Sequence, residues 1–368
     1  MRKNTSLAKY QLREVILHIT LIILLATTIG KVNCQTQITL ITSKEQVRIN
    51  LAGTGKVNIC WGDGQKSEYK LPAKYNDSND HVHTYSDTTV RTITIVGDGI
   101  TIMDCAGNQL TYLDVSKIKT LKALYCRANQ LTSLDISKNA ALQELECGKN
   151  QLKRLVIGKN TALEDLSCAD NQLTDLELSN CVALKKMSCW NNQLTNLNVS
   201  KNSKLELLSC SRNQLTNLDV SNNTELGFLN CDNNQLMDLD VSRNIKLRFL
   251  SCNSNHLKYL DVSNNKILRQ LECKSNQLTN LDVSINTELW DLRCTSNQLI
   301  SLDVSKNERV WSLYCSNNNL SENALNMLFE TLYDWTDIRS SAEITISGNP
   351  GSDYCDRSIA ERKGWKVK

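Results

Sequence analysis

The sequence predicts a β-rich solenoid, a rod of stacked coils with a cover at each end, and three columns of residues predict it. Eleven cysteines recur every 21 residues: Cys105, Cys126, Cys147, Cys168, Cys189, Cys210, Cys231, Cys252, Cys273, Cys294 and Cys315. Three positions after each stands an asparagine, from Asn108 to Asn318, and two further on a leucine, from Leu110 to Leu320. A period kept this strictly means one structural unit stacked on itself, with function carried on an extended surface.

Residues 1–34 read as an export signal. Arg2, Lys3, Lys9 and Arg13 precede an apolar run from Val15 to Ile29, which falls short of the roughly 20 residues a bilayer span needs. Cleavage before Gln35 suits the small residues nearby. Lipidation of Cys34 is the alternative, with Lys31-Val32-Asn33 a poor lead-in for it. No later stretch predicts a membrane span. The signal holds five Lys/Arg and one acid, so the remainder carries 37 basic and 38 acidic residues. The formal +3 of the whole chain therefore belongs to the signal, and nothing predicts a nucleic-acid or anionic-membrane partner.

Residues 35–99 alternate in short strands, at Gln37 to Thr42, Gln46 to Leu51, Val57 to Trp61 and Val90 to Val96. They contain Trp61-Gly62-Asp63-Gly64, whose glycines suit a tight hairpin turn, and later His83-Thr84-Tyr85. The two strings are similar to the WGDG and HxY of PKD-like β-sandwich domains. The segment is expected to cover the first coil, because an open solenoid end exposes apolar core and unpaired strand edges.

Residues 100–320 form the eleven repeats. From Leu121 the unit reads L-x-x-L-x-C-x-x-N-Q-L-T-x-L-D-V-S-x-N-x-x. Its first half is the leucine-rich-repeat strand signature with cysteine in the third leucine slot, so Leu, Leu and Cys alternate inward along a short strand. The asparagine turns the chain, its amide donating to the backbone of one neighbouring coil and accepting from another. Leu113, Leu134 and Leu155, with Val115, Ile136 and Ile157, begin the columns that complete the core on the return. A return of about ten residues is too short for a long helix, so extended or tight-turn backs are expected. The whole is a leucine-rich-repeat superhelix with a parallel β-sheet on its concave face.

Residues 321–368 predict a small α/β cover. Asn323 to Trp335 has helical spacing in Leu325, Leu328, Phe329 and Leu332, with Ser321 as its cap. Ile344, Ile346 and Asn349 recreate one irregular repeat, before a short helix around Asp356 to Arg362 and a Gly364-Trp365 strand.

This pattern resembles the 21-residue cysteine-ladder repeats of internalin J-like bacterial surface proteins. The resemblance covers Ile100 to Leu320 and rests on the C-x-x-N-x-L-T-x-L-D-V-S string. It implies an exported protein of binding and adhesion, secreted or held at the cell surface. The chain ends Lys366-Val367-Lys368 with no sorting motif or trailing apolar anchor, which puts covalent wall attachment in doubt.

An exported chain with 15 cysteines invites disulfides. Stacked strands put equivalent side chains about 4.8 Å apart and parallel, whereas a disulfide needs Cβ atoms near 3.8 Å and a torsion near 90°. The column therefore reads as buried reduced thiols, unreactive because an apolar interior disfavours the thiolate. Catalysis has little to draw on: His81, His83 and His256 are the histidines left after the signal, and Cys60, Cys181 and Cys355 have no partner encoded by spacing. No cofactor or metal is predicted. Asp63 reads as a turn residue. Asp219, Asp240, Asp261, Asp282 and Asp303 form a column of like charges, and Asp-Val-Ser is a ready Asx-turn that would absorb their repulsion without a cation.

The concave face carries the functional signal. Just before the second strand leucine, repeats six to eight place Leu207, Phe228 and Phe249 in a column that elsewhere holds Glu144, Asp165, Lys186 and Gln270. Trp290 and Trp311 share another column, with Tyr314, Asp291 and Arg293 close by, and Trp190 completes the candidate set. Apolar and aromatic clusters on a surface mark interaction sites. The reading is a non-enzymatic protein that binds a protein or cell-surface partner through this face. A glycan stacked on Trp290, Trp311 and Tyr314 is the alternative, and a structural envelope component a third.

Overall fold

The computed structural model describes residues 36–75, 80–336 and 342–368, so residues 1–34, expected to be an export signal, lie outside the described residues, Cys34 among them. Among those residues, one sheet of 15 strands runs the length of the molecule. Its body is parallel. Each repeat adds one short strand, such as Leu207–Ser209, Phe228–Asn230 and Phe249–Ser251, in register with its neighbours one period away.

The register follows from the alternation. Leu208, Leu229 and Leu250 point inward and are fully buried, as are the ladder cysteines that follow them. No thiol among the described residues is paired. Burial pushes these thiols up, that of Cys210 to about 12, so they stay protonated and apolar in character. Cys181 stands in a second asparagine column on the return and is equally buried.

The asparagine ladder closes each strand. Asn213 donates through Nδ2 to the carbonyls of Cys210 and Cys189, at 3.0 Å each, and accepts from the amide of Leu194 at 3.0 Å. Donation and acceptance therefore both reach the preceding coil, where the sequence had suggested one neighbour for each. The reason is geometric: the strand has already turned, and the amide plane faces back along the stack.

One torsion in every turn was not legible in the sequence. The residue before each ladder asparagine is left-handed, from Gly107 (φ 67°) through Ala128 (56°) and Arg212 (53°) to Asn317 (53°) and Gly348 (74°). Half of these positions carry Gly, Asn or Asp, which accept such a conformation, and the other half Ala, Lys, Arg or Ser, which resist it. Ladder hydrogen bonds on either side hold it.

At the N-terminal end, strands β1 (Gln37–Thr42), β2 (Gln46–Gly53), β3 (Lys56–Cys60), β4 (Lys66–Lys70), β5 (Asp80–Thr84) and β6 (Arg91–Gly97) make the cover. β4 and β5 were not anticipated; β3 and β4 are the two arms of the Gly62-Asp63-Gly64 hairpin. β2 pairs antiparallel with the first repeat strand, β7 (Ile100–Asp104), and β5 pairs beyond it. The cover thus extends the solenoid's own sheet, while β4, β3, β6 and β1 form a second sheet that also takes in Tyr112–Asp114 from the first return. The Trp61 ring is buried and stacked on His83 at 4.7 Å, His83 meets Asp63 at 2.7 Å, and the Tyr85 hydroxyl donates to the Trp61 carbonyl at 2.6 Å. The two motifs therefore serve as one packing unit.

At the other end helix α1 (Glu322–Thr331) starts at Ser321, whose Oγ accepts from the Ala324 amide. It stops earlier than its apolar spacing suggested. Strand Ala342–Thr345 continues the sheet, Asn349 repeats the ladder contacts to Cys315 and Ile346, and helix α2 (Ser358–Glu361) leads into the last strand, Trp365–Val367.

Candidate functional site

The strand positions flanking the second leucine of each repeat face the concave side, and parallel pairing aligns them into columns. Phe228 and Phe249 are paired across neighbouring strands and their rings stack, with centroids 4.3 Å apart and planes within 4°. Leu207 pairs with Phe228 on the preceding strand. All three are half-buried. Stacking neighbours cover one ring face each, and aromatic pairs of this kind contribute about 0.5–1.5 kcal/mol beyond area burial.

Trp290 and Trp311 also stack, at 5.7 Å and within 5°. They lie in the column one residue earlier, along the strand-entry edge of the face. Trp311 is 45% exposed and Trp290 half-buried. A sugar ring packs on an aromatic face, and here one face of each indole is turned toward its neighbour. This arrangement offers a glycan less than two side-by-side coplanar rings would. Trp190 lies on the opposite edge, one residue after Cys189, half-buried.

Asp291, Arg293 and Tyr314 are brought together. Asp291 is 1% exposed, accepts from Arg293 Nε at 2.9 and 3.0 Å, and accepts from Ser312 Oγ at 3.2 Å. Arg293 lies over the Tyr314 ring at 5.1 Å from its centroid. Asp291 is thus inside the surface and fixes the orientation of Arg293.

A polar network beside the phenylalanines was missed by sequence reasoning. Asp232 accepts from Ser251 Oγ and from the Asn253 amide, both at 2.6 Å. Asn253 Nδ2 donates onward to Glu272 at 2.9 Å, and Gln270 donates to the same carboxylate at 2.7 Å. Burial holds the Asp232 carboxyl above its ordinary range, only partly offset by these donors. The signal was available: Asp232, Asn253 and Lys274 are successive members of the column after the cysteine.

An acidic patch lies toward the N-terminal cover. Tyr125 donates to Glu144 at 2.8 Å and Tyr75 to Asp104 at 2.8 Å. Burial, then the neighbouring Glu144, raises the Glu146 carboxyl.

On the return side, the Asp219-to-Asp303 column behaves as Asx-turns. Asp219 accepts from the Ser221 amide at 2.9 Å and Asp240 from the Ser242 amide at 2.8 Å. The serine hydrogen bonds hold both carboxyls below their ordinary range. Among the described residues no group of three or more His, Cys, Asp or Glu could hold a metal ion, and no helix is long and apolar enough to cross a membrane.

No protein-family model matches the chain, and no curated protein matches it. Solved structures do. The functional domain of InlJ from Listeria monocytogenes, which includes a cysteine ladder, is 31% identical over 67% of this chain, with a TM-score of 0.49. The match covers 64% of that chain, so this protein spans just under two thirds of its length. The internalin InlF from Listeria monocytogenes is 20% identical, covers 73% of this chain and 86% of its own, and has a TM-score of 0.60. YopM, a leucine-rich effector protein from Yersinia pestis, is 26% identical over 69% of this chain and 68% of its own, at 0.54. With the register above, the matches to InlF and YopM show a leucine-rich-repeat solenoid fold, and its own buried cysteine column forms the ladder. The likeness of the cover to PKD-like domains rests on its two sequence strings.

Proposed function

We propose that this leucine-rich-repeat solenoid is an exported, non-enzymatic binding protein, secreted or at the cell surface, that holds a protein partner on its concave face. One observation carries the reading: the stacked Phe228–Phe249 pair, continued by Leu207, makes an apolar stripe across three adjacent strands. Ser209, Asn230 and Ser251 flank it on one side, and Glu206, Gly227 and Arg248 on the other. A partner covering this stripe gains roughly 1.5–3 kcal/mol per side chain. The broad, shallow face suits a macromolecule, and the fold it shares with InlF and YopM supports a scaffold for interaction.

The experiment is a pair of double variants tested for capture of surface and secreted proteins by residues 35–368. Phe228→Ser with Phe249→Ser should weaken capture at least tenfold, since about 1.4 kcal/mol is one decade. Glycan binding predicts the reverse, with Trp290→Ala and Trp311→Ala abolishing capture from a glycan array while the phenylalanine variant is silent.

A further inference from the structure

Beside the phenylalanine stripe runs a column of five residues whose backbones are joined in series. The Arg248 amide donates to Gly227, Arg269 to Arg248, Trp290 to Arg269 and Trp311 to Trp290, at 2.9, 2.8, 2.9 and 3.2 Å. Gly227 leaves the column open next to Phe228. Arg248 precedes Phe249 directly, and Arg269 lies one strand on. Both arginines are exposed, and among the described residues neither has an ion-pair or side-chain hydrogen-bond partner.

That isolation sets them apart from the charges around them. Earlier in the same column Lys185 pairs with Glu164 at 2.7 Å. On the adjoining turn Lys246 pairs with Glu225, and Arg309 with Glu288. The nearby concave carboxylates are occupied as well: Glu272 by Asn253 and Gln270, Asp291 by Arg293 and Ser312. Two unpaired guanidinium groups on neighbouring strands, with backbones about 4.8 Å apart, repel one another, and the nearest carboxylate in their own column, Glu206, stands two strands from Arg248 beyond Gly227. Each guanidinium presents a planar fork matched to a carboxylate.

We infer that the partner is a polypeptide segment carrying two acidic side chains next to a large apolar one. The carboxylates meet Arg248 and Arg269 while the apolar side chain enters the notch at Gly227 and covers Phe228 and Phe249. The inference rests on the concave reading above and adds the partner's chemistry to it. A polypeptide is favoured over an anionic polysaccharide because the arginines border an apolar stripe, which a sugar acid would leave uncovered.

The test uses residues 35–368 and synthetic twelve-residue peptides, each holding one tryptophan and, at varied offsets from it, a pair of Glu, Gln or Lys residues. Fluorescence anisotropy should show the best Glu-pair peptide binding at least tenfold tighter than its Gln-pair counterpart, with the preference shrinking as salt rises. Arg248→Glu with Arg269→Glu should invert the preference toward the Lys-pair peptide while thermal unfolding stays unchanged. No preference for the Glu pair at any offset, including no measurable binding, overturns the inference. So does a preference that survives the charge reversal. Polygalacturonate bound in an arginine-dependent manner, with the peptides silent, also overturns it in favour of an anionic glycan. Phe228→Ser with Phe249→Ser separates the two levels: if it abolishes peptide binding while the arginine reversal is silent, the concave reading stands and the acidic partner falls. If that variant is silent, the concave reading itself falls.

Discussion

The amide of Gly158 donates to Oδ1 of Asn160 at 2.8 Å. In the repeats where an acid stands two residues before the equivalent amide, that acid takes it instead: Asp240 accepts from the Ser242 amide, and Oδ1 of Asn244 is left buried with no donor. The same holds at Asn223, Asn265, Asn286 and Asn307. Val156 stands at the aspartate position in the Gly158 repeat and cannot compete. In these five coils one backbone amide therefore lies between an exposed carboxylate and a buried amide oxygen.

This competition predicts coupling. Asn244→Ala removes Nδ2 bonds to the Val220 and Asn223 carbonyls in any background. In an Asp240→Ala background it should cost about 1 kcal/mol more, because the freed Ser242 amide will have turned to Oδ1 of Asn244. A double-mutant cycle by chemical denaturation reads the difference, and a coupling near zero would show that the two acceptors do not compete.

The carboxyls divide by the direction of their shifts. Those of Asp219, Asp240 and Asp282 are lowered, mainly by hydrogen bonds from serine two residues on. Their contribution to stability is present above the unfolded value, near 3.9, and is lost as pH falls through the folded value. Exposure to solvent keeps it small. The Asp232 carboxyl is raised by burial, so its contribution has the opposite sign and is lost as pH rises through its folded value. Carboxyl titration by NMR should place Asp240 below an ordinary aspartate and Asp232 above it. A reversed order would contradict the burial and bonding described for both.

Native protein should resist thiol alkylation along the ladder, and denatured protein should take label at ten or more cysteines. Mass spectrometry finding disulfides between successive ladder positions would overturn the reading of buried thiols. Cys210→Ala should cost about 1 kcal/mol, the scale of one buried heavy atom and the small cavity it leaves. Cys210→Asp should be far worse, because it buries a charge without a partner.

The left-handed residue before each ladder asparagine offers a stabilising change. Arg212 holds φ at 53°, a region that costs a residue with a side chain roughly 1 kcal/mol. Arg212→Gly should therefore raise the melting temperature, with part of the gain offset by the greater freedom of glycine in the unfolded chain. Arg212→Val should lower it, since a β-branched side chain tolerates the torsion least. A lower melting temperature for the glycine variant would mean that Arg212 contributes contacts outweighing the torsion.

Removing residues 35–99 should produce aggregation, because β2 covers the free edge of Ile100–Asp104 along its length and an open edge pairs with other chains. Light scattering of the truncated protein tests this. A monomer with unchanged melting behaviour would make the segment an appendage.

The sequence alone determined the coil. A 21-residue period maps each column onto one place in the structure, so the inward leucines, the cysteine ladder and the turning asparagine follow from local alternation repeated. For the same reason Phe228 and Phe249 were legible as neighbours, while Ser321 was legible as a helix cap from the apolar spacing after it. Tertiary structure decided what periodicity does not encode. It turned the Trp290 and Trp311 rings toward one another, buried Asp291 under Arg293 and Ser312, and left Arg248 and Arg269 unpaired. It also set which acceptor takes the amide of Ser242 or Gly158. Each of these depends on torsions and on contacts between side chains that differ from repeat to repeat, where a column specifies position but not partner.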